Sequence, residues 1–271
     1  MSAHITFANT VLLGFIAGAT ISLGLLLGRM KAPAPRFRAL LNAIAIGILL
    51  FLFVDVLHGA IAQLEVAIDN HNHGLTFLRT VLLIGGLALG ILGLVGYDSW
   101  SKRRRAKLTE VSEENDWTPA ARMSLLLAVG IGLHNFGEGL AIGSSAHSGA
   151  GAVSLTTVLV VGFALHNATE GFGIIAPLSG ASERASWKFL GLMAIISGGP
   201  TTLGTIVGWS WTSETLSVAF YALAAGSIIY VVAQLFTVAQ RQKAGNLLFY
   251  GIIIGISTGL LTELVVELAN A

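Results

Sequence analysis

The sequence predicts an all-α integral membrane protein of eight transmembrane helices, and three observations carry that prediction. Hydrophobic residues make up 54% of the 271 and charged residues only 11%, with a mean hydropathy of +0.79. A soluble domain carries about 25% charged residues. Eight apolar stretches each come close to the roughly 20 residues that a helix needs to cross a bilayer. The basic residues fall almost entirely in alternate connections between those stretches, the distribution seen when cationic loops are retained in the cytoplasm.

The stretches lie at about residues 8–28, 38–60, 77–97, 122–143, 154–177, 187–209, 215–237 and 246–268. No basic residue precedes the first, so it is expected to stay as a span and not to be removed as a signal peptide. Arg29, Lys31, Arg36 and Arg38 separate spans 1 and 2, and Lys102, Arg103, Arg104, Arg105, Lys107 and Arg122 separate spans 3 and 4. Arg184 and Lys188 flank the fifth-to-sixth turn, and Arg241 and Lys243 the seventh-to-eighth. Of the 15 basic residues only Arg79 falls on the other side, which puts both termini outside. Residues 1–271 are expected to form a single transmembrane domain, with one sizeable cytoplasmic loop at about 99–121. Its basic run, followed by Glu110, Glu113, Glu114 and Asp116, is the composition of a solvated connector whose arginines meet anionic lipid headgroups.

The 33 glycines fit close contacts between membrane helices. Trp100, Trp117, Trp187, Trp209 and Trp211 fall at span ends, as interfacial tryptophans do. There is no cysteine, which excludes disulfides and thiolate metal sites. A net charge of +1 gives no basis for a nucleic-acid partner, so membrane lipid is the surrounding the chain is built for.

Within this apolar sequence two segments stand out. Leu133-His134-Asn135-Phe136-Gly137-Glu138-Gly139 on the fourth span is echoed by Leu165-His166-Asn167-Ala168-Thr169-Glu170-Gly171 on the fifth. A His and a Glu four residues apart lie on the same helix face. An acid at the centre of a membrane helix costs at least about 2.5–3.5 kcal/mol on insertion scales. One such residue can be explained by pairing with a backbone carbonyl or a neighbouring helix; the same pattern on consecutive spans points to a function. Two neutral imidazoles and two carboxylates form a charge-balanced cage for a divalent cation, whose binding offsets the burial of both acids and should release protons. The two spans run antiparallel, which sets His134 near the level of Glu170 and Glu138 near that of His166.

Other polar residues leave two readings each. Asp55 and His58, at i and i+3 in the outward half of the second span, could form an entrance relay, or Asp55 could simply satisfy His58 or snorkel toward water. Glu65, Asp69, His71 and His73 in the following outer loop could gather cations or simply be solvated. Glu263 and Glu267 share a face near the outer end of the eighth span and are expected to be solvated, and His147 is expected not to be a ligand.

His-Asn-x-x-Glu-Gly on a fourth span with a cognate on a fifth resembles the Zrt/Irt-like (ZIP) divalent-metal transporters. The stretch Gly47-Ile48-Leu49-Leu50-Phe51-Leu52-Phe53-Val54-Asp55 is similar to their second helix. The resemblance implies a 3+2+3 bundle with inverted-repeat symmetry between the outer triplets; the compact size and the absence of a long His-rich loop point to the cell's inner (plasma) membrane. The resemblance also implies movement of Zn²⁺, Fe²⁺ or similar ions toward the cytoplasm through a site between spans 4 and 5, with the metal as transported ligand and no cofactor; the nitrogen and carboxylate ligands themselves leave zinc, iron, manganese, cobalt and cadmium open. By motif position His134, Glu138, His166 and Glu170 would form the main metal site, and Asn135 and Asn167, with the same glutamates, an adjoining one.

The chain departs from the family pattern at three places. Gly137 and Thr169 stand where relatives often have Pro, Gly199 precedes Pro200 where they often have Glu, and Gln234-Leu235 replaces a common His-Glu pair. One strong metal site with a weaker polar neighbour is therefore expected. The competing reading is an intramembrane zinc-dependent hydrolase, which wants three protein ligands, an open position and a separate base. A third, a metal sensor, lacks a sizeable output domain. The identity of the metal, proton coupling and oligomeric state, a homodimer included, are left open by the sequence.

Overall fold

The computed structural model describes residues 5–29, 35–108, 118–147, 152–180, 184–210 and 213–270. Among these there is no strand. The elements are α1 (Phe7–Arg29), α2 (Pro35–Asp69), α3 (His73–Leu108), α4 (Pro119–His147), α5 (Ala152–Ile175), α6 (Trp187–Ser210), α7 (Glu214–Arg241) and α8 (Asn246–Asn270). All but α5 are long and apolar enough, among the described residues, to cross a membrane. At 24 residues α5 also has the length of a span. The architecture is that of a multi-pass membrane protein.

Two helices run well past the apolar windows that predict them. α2 has 35 residues and α3 has 36, against expectations of 38–60 and 77–97. Leaving the hydrocarbon ends an apolar run but does not end a helix, and Lys, Arg, Gln and Glu are good helix formers in water. The connector expected over about 99–121 accordingly continues α3 to Leu108, while Glu110, Glu113, Glu114, Asp116 and Trp117 lie outside the described residues. At the other end of α3 the three exposed residues His71, Asn72 and His73 make a tight turn. His71 takes a left-handed φ of 52°, and the Asn72 side chain accepts the Leu75 N–H at 3.0 Å to cap the helix.

The helix α1 is interrupted at Thr20, whose hydroxyl donates to the Ala17 carbonyl at 2.6 Å, and it tightens into a 3₁₀ turn over Leu26–Arg29. Arg29 then donates to the Ala185 carbonyl at 2.8 Å and lies 4.9 Å over the Trp187 ring, tying the end of α1 to the start of α6.

The bundle is built around α4, which packs on α5, α6 and α7; α1 packs on α5 and α6, α2 on α7 and α8, and α3 on α7. Two-thirds of the α4 apolar window (67%) is buried, against 17% for α3 and α8. Phe77, Ile84, Leu89 and Leu92 of α3 and Phe249, Ile253 and Leu261 of α8 are exposed, an apolar surface suited to lipid. Leu49, Leu52, Leu127, Ile131, Met193, Ile228 and Leu235 fill the interior. In lipid, apolar side chains gain little by meeting one another, so close backbone packing has to hold helices together. Gly18 meets Gly198, Gly47 meets Gly255, and Gly90 meets Gly226 across three of these interfaces.

Arg79, the one basic residue that breaks the charge asymmetry, is not a surface charge. Its side chain is 3% exposed; it donates to Glu214 Oε2 at 2.7 Å, to Thr215 Oγ1 at 3.4 Å and to the Gln63 carbonyl. It is an internal brace joining α2, α3 and α7 at one end of the bundle.

Candidate metal centre

The α4 motif places its ionisable pair as the helical spacing requires. His134 Nε2 lies 3.2 Å from Glu138 Oε1, both residues being 4% exposed. Glu170 of α5, on the neighbouring helix, is 1% exposed, and Asn135 and Asn167 are completely buried.

The two asparagines are seated alike. Asn135 Nδ2 donates to the Ser197 carbonyl of α6 and Asn167 Nδ2 to the Ala17 carbonyl of α1, each at 3.0 Å. Both carbonyls sit where the facing helix is irregular. Pro200 deprives Ile196, next to Ser197, of its helical donor, and Ala17 lies one turn before the break at Thr20. A carbonyl can only accept, so the amide nitrogen must face it, which turns each Oδ1 the other way. Neither Asn135 Oδ1 nor Asn167 Oδ1 has a hydrogen-bond partner among the described residues, although both are buried. Leaving such an acceptor unsatisfied costs on the order of 1–3 kcal/mol. An oxygen of this kind is a ligand for a hard or borderline divalent cation.

The glycines that end the two motifs repeat the correspondence. A Cβ on Gly139 would overlap the Thr201 carbonyl and come within 2.9 Å of Gly204 Cα, on α6. A Cβ on Gly171 would overlap the Ile21 carbonyl and come within 2.8 Å of Gly24 Cα, on α1. Only glycine lets α4 and α5 approach their neighbours this closely.

Some expected groupings are present and others are not. The His134–Glu138 pair forms and α4 packs on α5. The side chain of His166 lies outside the described residues, and among those described no three of His, Cys, Asp and Glu stand together. Asp55 is half-buried on α2, whereas His58 is exposed. Gly199 lines a groove between α1 and α6 with Phe15, Gly18 and Ser22, and an added Cβ would meet nothing within 4 Å. Leu235 is a core residue. His147 packs edge-on against Trp209 at 5.3 Å, an aromatic contact. Glu263 is half-buried, and the Glu267 side chain lies outside the described residues.

Two residues of this region escape a sequence-based search. Arg79 looks like an exception to a charge rule, and Tyr221 of α7 looks like one apolar aromatic among many. The sequence signal for Tyr221 is weak: a hydroxyl-bearing ring about two turns from the start of α7.

A family model for the ZIP zinc transporter matches residues 99–261, well over half of the chain and both motifs. The protein named zinc transporter ZupT of Salmonella paratyphi A (strain ATCC 9150 / SARB42) is 30% identical over 256 residues, covering 91% of this chain and 93% of its own. The protein of the same name from Salmonella newport (strain SL254) matches at the same identity and coverage, as does that of Escherichia coli O7:K1 (strain IAI39 / ExPEC) over 255 residues. With the paired motif and the helical membrane architecture, these similarities establish that the chain belongs to the ZIP zinc transporter family.

Proposed function

We propose that this chain moves a divalent metal ion, zinc foremost, across the inner membrane toward the cytoplasm through a site between α4 and α5. The observation that carries the site assignment is the pair of buried, unsatisfied amide oxygens on Asn135 and Asn167, each three residues before the buried glutamate of its own motif. In this reading His134, Glu138, His166 and Glu170 hold the ion, and Asn135 and Asn167 line the adjoining position. Two carboxylates cancel the charge of the cation, so the loaded site is neutral and can persist out of water. Asp55, and not the exposed His58, belongs to the entrance.

A 3+2+3 bundle with inverted repeats is supported by the packing pattern. Exchanging α1 with α6, α2 with α7, α3 with α8 and α4 with α5 turns the α4–α6 interface into α5–α1 and the α3–α7 interface into α8–α2. The same exchange maps Asn135 on Ser197 to Asn167 on Ala17. Burial of Arg79 removes the one exposed cation from the side opposite the basic loops, which favours a cytoplasmic basic face and outward termini.

Zinc flux into proteoliposomes tests the reading. Glu138→Ala should abolish both uptake and zinc binding by the purified protein. Uptake at the wild-type rate by Glu138→Ala would place the route elsewhere.

A further inference from the structure

A cavity of about 260 Å³ opens at the end of the bundle where α2, α4, α6 and α7 meet, lined by Gln63, Ser144, Ser213, Glu214, Ser217 and Tyr221 among others. Its polar rim is held by the buried Arg79, which grips both the Gln63 carbonyl and the Glu214 carboxylate. The α4 residues that reach it, Leu140, Ala141 and Ser144, all lie between Glu138 and the outer end of that helix. Neither His134 nor Glu138 lines it.

Among the residues lining the cavity, Tyr221 is the one whose ring meets two other helices. A Cβ added to Gly137, the residue before Glu138, would stand 2.9 Å from Tyr221 Cε1; one added to Gly59 of α2 would stand 3.3 Å from Tyr221 Cε2. The Tyr221 ring therefore spans from α7 across the gap between α2 and α4, with one edge on each. Glycine at both contact positions leaves room for it to lie flat there. Gly59 lies one turn beyond Asp55 on α2, and Gly137 immediately precedes Glu138 on α4.

We infer that Tyr221 is the outer barrier of the transport route: its ring closes the floor of the cavity over the His134–Glu138 pair, and a cation entering from outside must displace it. This rests on the orientation and site proposed above. The ring carries the barrier sterically, with one edge against α2 and the other against α4.

The absence of cysteine makes the test direct, since any introduced cysteine is the only thiol in the chain. Intact cells expressing His134→Cys or Ala141→Cys are treated with a membrane-impermeant cationic methanethiosulfonate. Ala141→Cys, in the cavity, should react rapidly whatever residue stands at 221. His134→Cys should react slowly with Tyr221 or with Tyr221→Phe, and about tenfold faster with Tyr221→Ala or Tyr221→Leu. Equal rates for His134→Cys with Tyr and with Ala at 221 would overturn the inference, as would fast reaction with Phe or protection of Ala141→Cys. Tyr221→Leu gives the same reading if the alanine variant is not made in the membrane. Accessibility is read without metal flux, so a failure here is distinguishable from a failure of the metal site, which zinc binding to His134→Cys reports separately.

Discussion

Replacing Asn135 by alanine separates two roles that the structure gives one side chain. The amide nitrogen holds α4 to α6 through the Ser197 carbonyl at 3.0 Å, and the buried amide oxygen has no hydrogen-bond partner among the described residues. Losing the helix-to-helix bond should cost little. Hydrogen bonds between membrane helices average about 0.6 kcal/mol, and the Ser197 carbonyl left behind adds up to about 1–3 kcal/mol if nothing else reaches it. A loss near 1 kcal/mol is the expected outcome, read as reduced resistance of the metal-free protein to unfolding in detergent. Losing the oxygen should act on zinc affinity instead. Groups that support a metal site typically cost 10–100-fold in affinity when removed, which is about 1.4–2.7 kcal/mol. The assay is zinc titration of purified protein against a chelating dye, on Asn135→Ala, Asn167→Ala and the double variant. The two single variants should weaken zinc alike, because their side chains are seated alike on Ser197 and Ala17. Zinc affinity unchanged within about threefold, or 0.65 kcal/mol, alongside a clear loss of stability would refute the argument and reduce both asparagines to helix fasteners.

Other perturbations follow from the same contacts. Glu214→Ala leaves the buried Arg79 without its carboxylate; because Glu214 is 61% exposed, the cost should fall well below that of a fully buried pair, about 1–2 kcal/mol. The Arg79→Ala, Glu214→Ala double variant should then lose less stability than the two single losses added together, measured as a double-mutant cycle of thermal unfolding in detergent. Gly171→Ala drives a methyl into the Ile21 carbonyl and should destabilise by about 1–3 kcal/mol. Gly93→Ala, where an added Cβ meets nothing within 4 Å, should be neutral or stabilising by up to about 1 kcal/mol through helix propensity. Equal melting of the two glycine variants would argue against the α1–α5 approach.

The parts of this molecule that depend on composition along one helix are legible before any coordinates. Eight helices emerge from eight apolar runs, seven of them long and apolar enough among the described residues to cross a membrane, and the His134–Glu138 contact emerges from a spacing of four. Helix ends do not, because the signal that stops at the bilayer surface is hydropathy, while the backbone hydrogen bonding of α2 and α3 continues through charged residues that favour it. Contacts between helices are harder still. That Asn135 turns its nitrogen to Ser197, and so frees its oxygen, depends on the register of α4 against α6 and on the irregularity Pro200 brings. The fate of Arg79 depends on Gln63 and Glu214 arriving from two other helices. Asp55 and His58 show the limit of spacing arguments: three residues apart they share a broad face, yet one is half-buried and the other is exposed. Tyr221 becomes visible only when Gly59 and Gly137, 78 residues apart by number, are found under opposite edges of one ring.

The central claim is that a divalent cation is what the buried carboxylates of α4 and α5 exist to hold. Anomalous diffraction at the zinc edge, from crystals grown with zinc, tests it most directly. The account predicts a peak between these helices about 2.0–2.2 Å from His134 nitrogen and from Glu138 and Glu170 oxygens, absent from crystals of Glu138→Ala. A protein that still imports zinc but shows no peak there, or binds its zinc only on the outer loop at His71 and His73, would contradict it.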